Sequence, residues 1–200
     1  MIRPAFFDDV RKIALRDPLA EFLGAAEGGV IEYGCLDAVK LAGHSCPTVA
    51  AAYLMTLKAL THLYGDELPE RGAVRVLFRD DMTSGVTGVM GNVAGLLTGA
   101  AGPGGFKGIG GRFDRRGLLV FGAGIESDVR FERVDGGGGV DAAFRPEIVP
   151  PAPEMRALMP KVLSGGAAPE EQREFGRLWQ ERVKRILIDH ADDPALVILG

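Results

Sequence analysis

A histidine and a cysteine lie two positions apart in the segment Gly43-His44-Ser45-Cys46-Pro47, directly before the apolar stretch 48–63. The start of a helix leaves backbone N–H groups unpaired and carries partial positive charge, which favours the thiolate form of a cysteine held there. Pro47 suits the first helical turn and would fix Cys46 at the cap. Imidazole nitrogen and thiolate sulfur are both transition-metal ligands, so the segment predicts a metal site. A capping histidine and a small buried cysteine are the structural alternative.

Further ligands are needed, because a closed tetrahedral zinc site has four donors. Cys35 could fold back beside Cys46 through a turn. Asp80 and Asp81 follow a predicted strand, and either carboxylate could be a ligand or a general base. His190, near the end of the last predicted helix, could arrive from a second subunit. The structural alternatives are core packing for Cys35, a cap or turn for the aspartates, and an exposed helix end for His190.

Four more residues are candidates for binding a ligand beside such a metal. Ser84 and Thr87 could line the same cleft as hydroxyl donors. Lys107 lies in a glycine-rich loop and Arg112 directly follows it, so the two could hold an anionic ligand with the free backbone amides of the loop. The loop matches neither the Walker pattern nor the dinucleotide fingerprint, which gives little support to a nucleotide site.

Two helices are predicted to position these residues. Residues 47–64 predict a helix that is apolar on almost all sides, which is typical of a helix buried centrally or at a subunit interface. The next helix would have a glycine face, and each glycine costs about 1 kcal/mol relative to alanine. Close approach of another element, a ligand or a second subunit to the glycine face would compensate for this cost. The alternative is that the segment is not a helix but a loop that tolerates glycine. These glycines recur at spacings of three and four, at Gly85, Gly88, Gly91, Gly95 and Gly99.

The remaining pattern predicts an α+β fold with a mixed sheet. An amphipathic helix is predicted over 6–23, with a break near Asp17-Pro18. We expect a core domain over 1–145, then a proline-rich linker and a C-terminal helical extension over 146–200 that packs on the core or on a partner subunit. The other predicted elements are strands at 30–33, 73–78, 118–121, 129–134 and 196–199, a short helical turn at 35–42 and a long helix at 169–189.

Composition excludes some classes of function. The 200 residues are 46% hydrophobic and 25% charged, as in ordinary globular proteins, and the net charge of −4 comes without a basic stripe, which argues against nucleic acid as a partner. No apolar run is long enough for a membrane span, and the N-terminal residues are unlike a signal peptide. We therefore expect a cytoplasmic protein whose two cysteines are thiols.

The Gly-His-Ser-Cys-Pro motif at 43–47 is followed by the glycine-studded segment ending in Thr98-Gly99 and by Gly-Phe-Lys-Gly at 105–108. Over residues 35–121 this pattern resembles the FmdE-like family, which is named after a component of formylmethanofuran dehydrogenase. The resemblance implies an α+β core, a tendency to form intertwined homodimers and a metal-binding cleft to which His44 and Cys46 contribute. A histidine and a cysteine suit a divalent transition metal, with zinc the first to expect.

The chain also departs from the family pattern. Ser84 and Ala100 stand near positions where family members often have cysteine, and no cysteine follows Cys46. We therefore expect a divergent branch that lacks the cysteine-rich C-terminal zinc finger of some members.

Several functions are consistent with these residues. The first is a metal-binding protein or carrier. The second is a metal-dependent enzyme in which the aspartate pair supplies a general base and Lys107 or Arg112 orients a small anionic substrate. The third is a thiol enzyme with Cys46 as nucleophile and His44 as its base. A structural or accessory component of an oxidoreductase complex is the last.

Overall fold

The computed structural model describes residues 3–200. Seven β-strands lie in this part of the chain: β1 (Ile13–Arg16), β2 (Val30–Tyr33), β3 (Val74–Phe78), β4 (Leu119–Val120), β5 (Val129–Arg133), β6 (Gly139–Phe144) and β7 (Val197–Leu199). It also contains six α-helices: α1 (Pro18–Phe22), α2 (Cys35–Ala42), α3 (Pro47–Tyr64), α4 (Thr87–Thr98), α5 (Met155–Leu163) and α6 (Pro169–Lys184).

A five-stranded mixed sheet carries the core, in the order β4-β3-β5-β6-β7. The β3–β4 pair is parallel and the other three pairs are antiparallel. Helix α3 packs on this sheet and on α4, while β1 and β2 form a separate antiparallel pair. The α+β fold with a mixed sheet and a long buried helix is therefore confirmed.

Helix α3 has the bounds that the sequence predicted. It begins at Pro47 after the N-cap Cys46, and Gly65 ends it with a positive φ of 58°. Most of its side chains are buried, and the large ones among them are Tyr53, Leu54, Met55, Leu57, Leu60 and Tyr64. Such a helix is stabilised by its packing, and it fixes Cys46 in place at its first turn.

The glycine face of α4 is in close contact with other parts of the chain. A Cβ on Gly91 would lie 2.5 Å from Cζ of the Phe121 ring, and one on Gly95 would lie 2.8 Å from the Ala100 carbonyl oxygen. Both distances are too short for a real Cβ, so a larger residue would displace the Phe121 ring or the Ala100 backbone. The predicted close approach is confirmed, and the approaching groups belong to this chain.

The helix predicted over 6–23 is wrong. Ile13–Arg16 forms β1, in which buried Ile13 and Leu15 alternate with more exposed neighbours. Asp17 then caps the short helix α1, because its carboxylate accepts hydrogen bonds from the backbone N–H groups of Leu19 and Ala20. Residues 13–22, whose apolar spacing fitted a helix, form a strand followed by a short capped helix.

Residues 146–200 complete the core. Strand β7 pairs with β6, and Val183, Ile186 and Leu187 belong to the same buried cluster as α3. Strand β6 and helix α5 were not predicted. The helix predicted over 169–189 is α-helical as far as Lys184, and Arg185–Asp189 continues it as a π-helix. Within residues 3–200, no helix combines the length and the apolar character needed to cross a membrane.

Candidate functional site

His44 and Cys46 line one cleft of about 410 Å³ at the start of α3. Cys46 is the N-cap residue, and its Sγ accepts a hydrogen bond from the backbone N–H of Val49 at 3.5 Å. The Cys46 side chain is largely covered, whereas His44 is exposed. The cleft is also lined by Pro47, Thr48, Val86, Val89, Trp179 and Arg182.

The hydrogen bond that His44 makes defines which of its nitrogens is free. Nδ1 lies 2.9 Å from the carbonyl oxygen of Ala42. A carbonyl oxygen can only accept, so Nδ1 carries the proton and the neutral ring keeps the lone pair on Nε2. Metal-binding histidines commonly have this arrangement, with the second ring nitrogen donating to a carbonyl or carboxylate.

Helix α6 holds the residue between these two side chains. Trp179 Nε1 and Gln180 Nε2 donate to the carbonyl oxygen of Ser45, at 3.0 and 3.2 Å. The Ser45 hydroxyl donates in turn to Gln180 Oε1 at 2.9 Å. These three hydrogen bonds fix the backbone that presents His44 and Cys46. Sequence reasoning missed them, because nothing local relates Ser45 to residues more than 130 positions away.

Arg182 brings a positive charge to the cleft. Its Nε donates to the Val149 carbonyl at 2.8 Å and its Nη2 to the Pro146 carbonyl at 3.3 Å. Within residues 3–200 no carboxylate forms an ion pair with it, and burial together with nearby Arg185 lowers its pKa from the ordinary arginine value. An arginine stays protonated at neutral pH, so this charge is not neutralised.

Cys35 lies outside the cleft. It occupies the first turn of α2, is buried, and its Sγ donates to the carbonyl oxygen of Phe7 at 3.7 Å. Burial raises the pKa of this thiol to about 11. Both cysteines are free thiols, as expected. Cys35 has the surroundings of a core residue, which is the structural alternative considered for it.

The aspartate pair also lies apart from the lining of the cleft. Asp80 is exposed and accepts a hydrogen bond from Arg79 Nε at 3.1 Å. Asp81 is exposed too, and its carboxylate lies against Gly122, just after β4.

His190 also lies outside the lining of the cleft. Its Nδ1 lies 3.3 Å from Asp193 Oδ2, and the adjacent Ala191 carbonyl accepts from Lys58 Nζ. Lys58 is twelve residues along α3 from Cys46, which at 1.5 Å per residue is about 18 Å.

The four predicted ligand-binding residues are dispersed. Ser84 is exposed in the turn before α4, and Thr87 is buried in the first turn of that helix. Lys107 is exposed on its loop, and Arg112 lines a different cavity. None of the four is among the described residues that line the cleft.

Among the described residues that line the cleft, His44 and Cys46 are the two whose side chains are of metal-ligating type. In the part of the chain that the structure describes, no group of three or more His, Cys, Asp or Glu side chains is arranged to hold a metal ion. One imidazole nitrogen and one sulfur fit zinc or another borderline metal, with the other positions left to water, a ligand or a second copy of the chain.

Comparison of the chain with protein-family models, with curated proteins and with solved structures gives no match. The resemblance to the FmdE-like family therefore stays a prediction from the motif.

Proposed function

We propose that this chain is an FmdE-like metal-binding protein that holds a transition metal, zinc first, through His44 Nε2 and Cys46 Sγ. The observation that carries the proposal is the shared cleft, in which an N-cap sulfur and a histidine with a fixed tautomer are both present. Where one chain alone supplies the ligands, a metal held there would keep open positions and would act in them as a Lewis acid toward a ligand.

The proposed site lies at or near the interface of a homodimer. Two donors from one chain leave a four-coordinate metal incomplete, and the same pair from a second copy would complete a His₂Cys₂ set. Large apolar side chains are exposed beside His44, namely Leu41 and Val86. Contact between two copies would cover them. The two free thiols are consistent with a reducing, cytoplasmic location.

The second candidate is a metal-dependent enzyme that acts on a small anionic substrate. Arg182 supports it, because an arginine without a carboxylate partner in residues 3–200 borders the same cleft as both donors. Its side chain could hold a carboxylate or phosphate beside the metal.

Metal content tests the proposal. Tag-free protein purified without added metal is analysed by elemental mass spectrometry, beside His44→Ala and Cys46→Ala variants. We expect bound metal in the parent and a loss of at least about tenfold in each variant, as when one ligand of a small set is removed. One metal per two chains would locate the site between two copies, and one per chain would locate it within each.

Cys35→Ala is the matched control, since it removes the other buried thiol of the chain. It should leave the metal content unchanged. Equal metal in the parent and in the Cys46→Ala variant, or loss only in the Cys35→Ala variant, would overturn the assignment.

A further inference from the structure

A second cavity, of about 440 Å³, lies near the C-terminal end of α4. The His44 and Cys46 cleft borders the other end of that helix, so the two are separated by about 15–20 Å along its axis. Four arginines and two carboxylates are among the residues that line this cavity. Its lining is therefore rich in positive charge.

Arg115 is the most buried residue of the lining. Its side chain is 8% exposed, and its Nη2 donates to Asp17 at 2.7 Å. Its guanidinium lies between two glycines, because a Cβ on Gly99 would collide with Nη1 and one on Gly72 would lie 2.7 Å from Nε. Within residues 3–200 neither Nε nor Nη1 has a hydrogen-bond acceptor, and neither is a fully buried orphan. These two donors therefore reach solvent.

The carboxylates near the cavity already have partners. Arg16 pairs with Glu21 at 2.7 Å and with Glu70 at 3.4 Å, and Asp17 accepts one hydrogen bond from each of Arg71 and Arg115. Asp114 pairs at 2.6 Å with Arg116, a residue outside the lining. They leave part of the positive charge uncompensated.

Arg112 is the arginine of the lining that has no carboxylate partner among residues 3–200. Its guanidinium lies 4.6 Å from the centre of the Phe113 ring. Phe113 has a φ of 65°, a left-handed conformation that no other non-glycine residue in the described chain adopts. Such a conformation is unfavourable for a bulky side chain and is often kept where a binding site needs it.

We propose that this cavity binds a small organic oxyanion, a molecule whose carboxylate or phosphate group sits between the guanidinium groups of Arg112 and Arg115. Planar guanidinium donors match the oxygens of both groups. The remaining volume accommodates the rest of a small molecule. This site is separate from the proposed metal site and does not depend on it.

Isothermal titration calorimetry of the full chain at low salt tests the proposal with inorganic phosphate, phenyl phosphate and succinate. We expect at least one probe to bind with a Kd below about 1 mM. Arg112→Gln should weaken that binding at least about tenfold, since a charge-assisted contact is lost. Phosphate or phenyl phosphate binding alone would identify a phosphate group, and succinate binding alone a carboxylate.

Arg173→Gln is the control, because it removes the same charge from an exposed arginine on α6. It should bind the probe as the parent does. Arg115→Lys, which keeps the charge but loses the planar fork, should weaken binding in protein whose circular dichroism is unchanged. Three results would each overturn the proposal: no saturation by any probe up to about 10 mM, unchanged binding by Arg112→Gln, or an equal loss in Arg112→Gln and Arg173→Gln.

Discussion

The two cysteines of this chain stand at the starts of consecutive helices, yet their surroundings differ. Cys35, in the first turn of α2, is enclosed by the core and donates to a backbone carbonyl. Cys46, the N-cap of α3, accepts an amide hydrogen and borders a cleft that also contains His44. Both cysteines therefore lie at a helix start, but only Cys46 borders a cleft. This access distinguishes Cys46, the candidate metal ligand, from the structural thiol of Cys35.

The largest difference should appear in the reactivity of the two thiols. At about pH 8 the raised pKa of Cys35 lowers its thiolate fraction about 100-fold relative to an ordinary thiol, and enclosure slows it further. We expect iodoacetamide to modify Cys46 at least about 100 times faster than Cys35, measured by peptide mass spectrometry over time. In denaturant the two rates should converge. If iodoacetamide modified the two cysteines at comparable rates in the folded protein, Cys46 would not be more accessible than Cys35.

A second difference should appear in the pH dependence of stability. The Cys35 thiol loses its proton near pH 9 in the unfolded chain and near pH 11 in the folded one, so its contribution is complete below pH 9 and is lost as pH rises toward 11. At about pH 10.5 the loss is about 2 kcal/mol relative to about pH 8. Urea unfolding of the parent should show this extra loss against Cys35→Ala, in which the group is absent. Parallel pH profiles of the two proteins would contradict the buried-thiol description.

The smallest effect should come from removing the hydrogen bonds that helix α6 donates to the Ser45 carbonyl oxygen. Gln180→Ala removes one donor to its carbonyl, and Trp179→Phe removes the other while keeping an aromatic ring. In the proposed site these groups would orient the ligands without binding the metal themselves, so we expect zinc affinity to fall about 3- to 10-fold in each, measured by competition with a chelator. Arg173→Gln, on the exposed side of the same helix, should have no effect. If both Gln180→Ala and Trp179→Phe bound zinc as tightly as the parent, the segment 43–47 would not need these hydrogen bonds from α6.

The main helices could be predicted because the signals for them lie within short stretches of the sequence. The apolar run after Pro47 and the stop at Gly65 indicate both ends of α3, and the glycine spacing indicates α4. Strand β6 was missed since its alanines have low strand propensity and only its packing makes it a strand. The 6–23 region was misread because Ile13 and Leu15 fit a helical period as well as an alternating one.

The candidate site was predictable only in part. The His44 and Cys46 pair is visible in the sequence because two residues of metal-binding type flank one position at a helix start. Cys35 could not be placed, since the sequence does not show how α2 turns relative to α3. The contributions of Trp179, Gln180 and Arg182 depend on long-range packing of α6, for which the sequence has no local signal.

The central claim is that Cys46 and His44 together hold a metal in the cleft, and cobalt substitution tests it most directly. Co²⁺ added to metal-free protein should give a sulfur-to-cobalt charge-transfer band, because a thiolate is among the ligands. We predict that the band persists in Cys35→Ala, disappears in Cys46→Ala, and weakens or shifts in His44→Ala. A band that survives in Cys46→Ala, or that is absent from the parent, would contradict the assignment of the metal to this cleft.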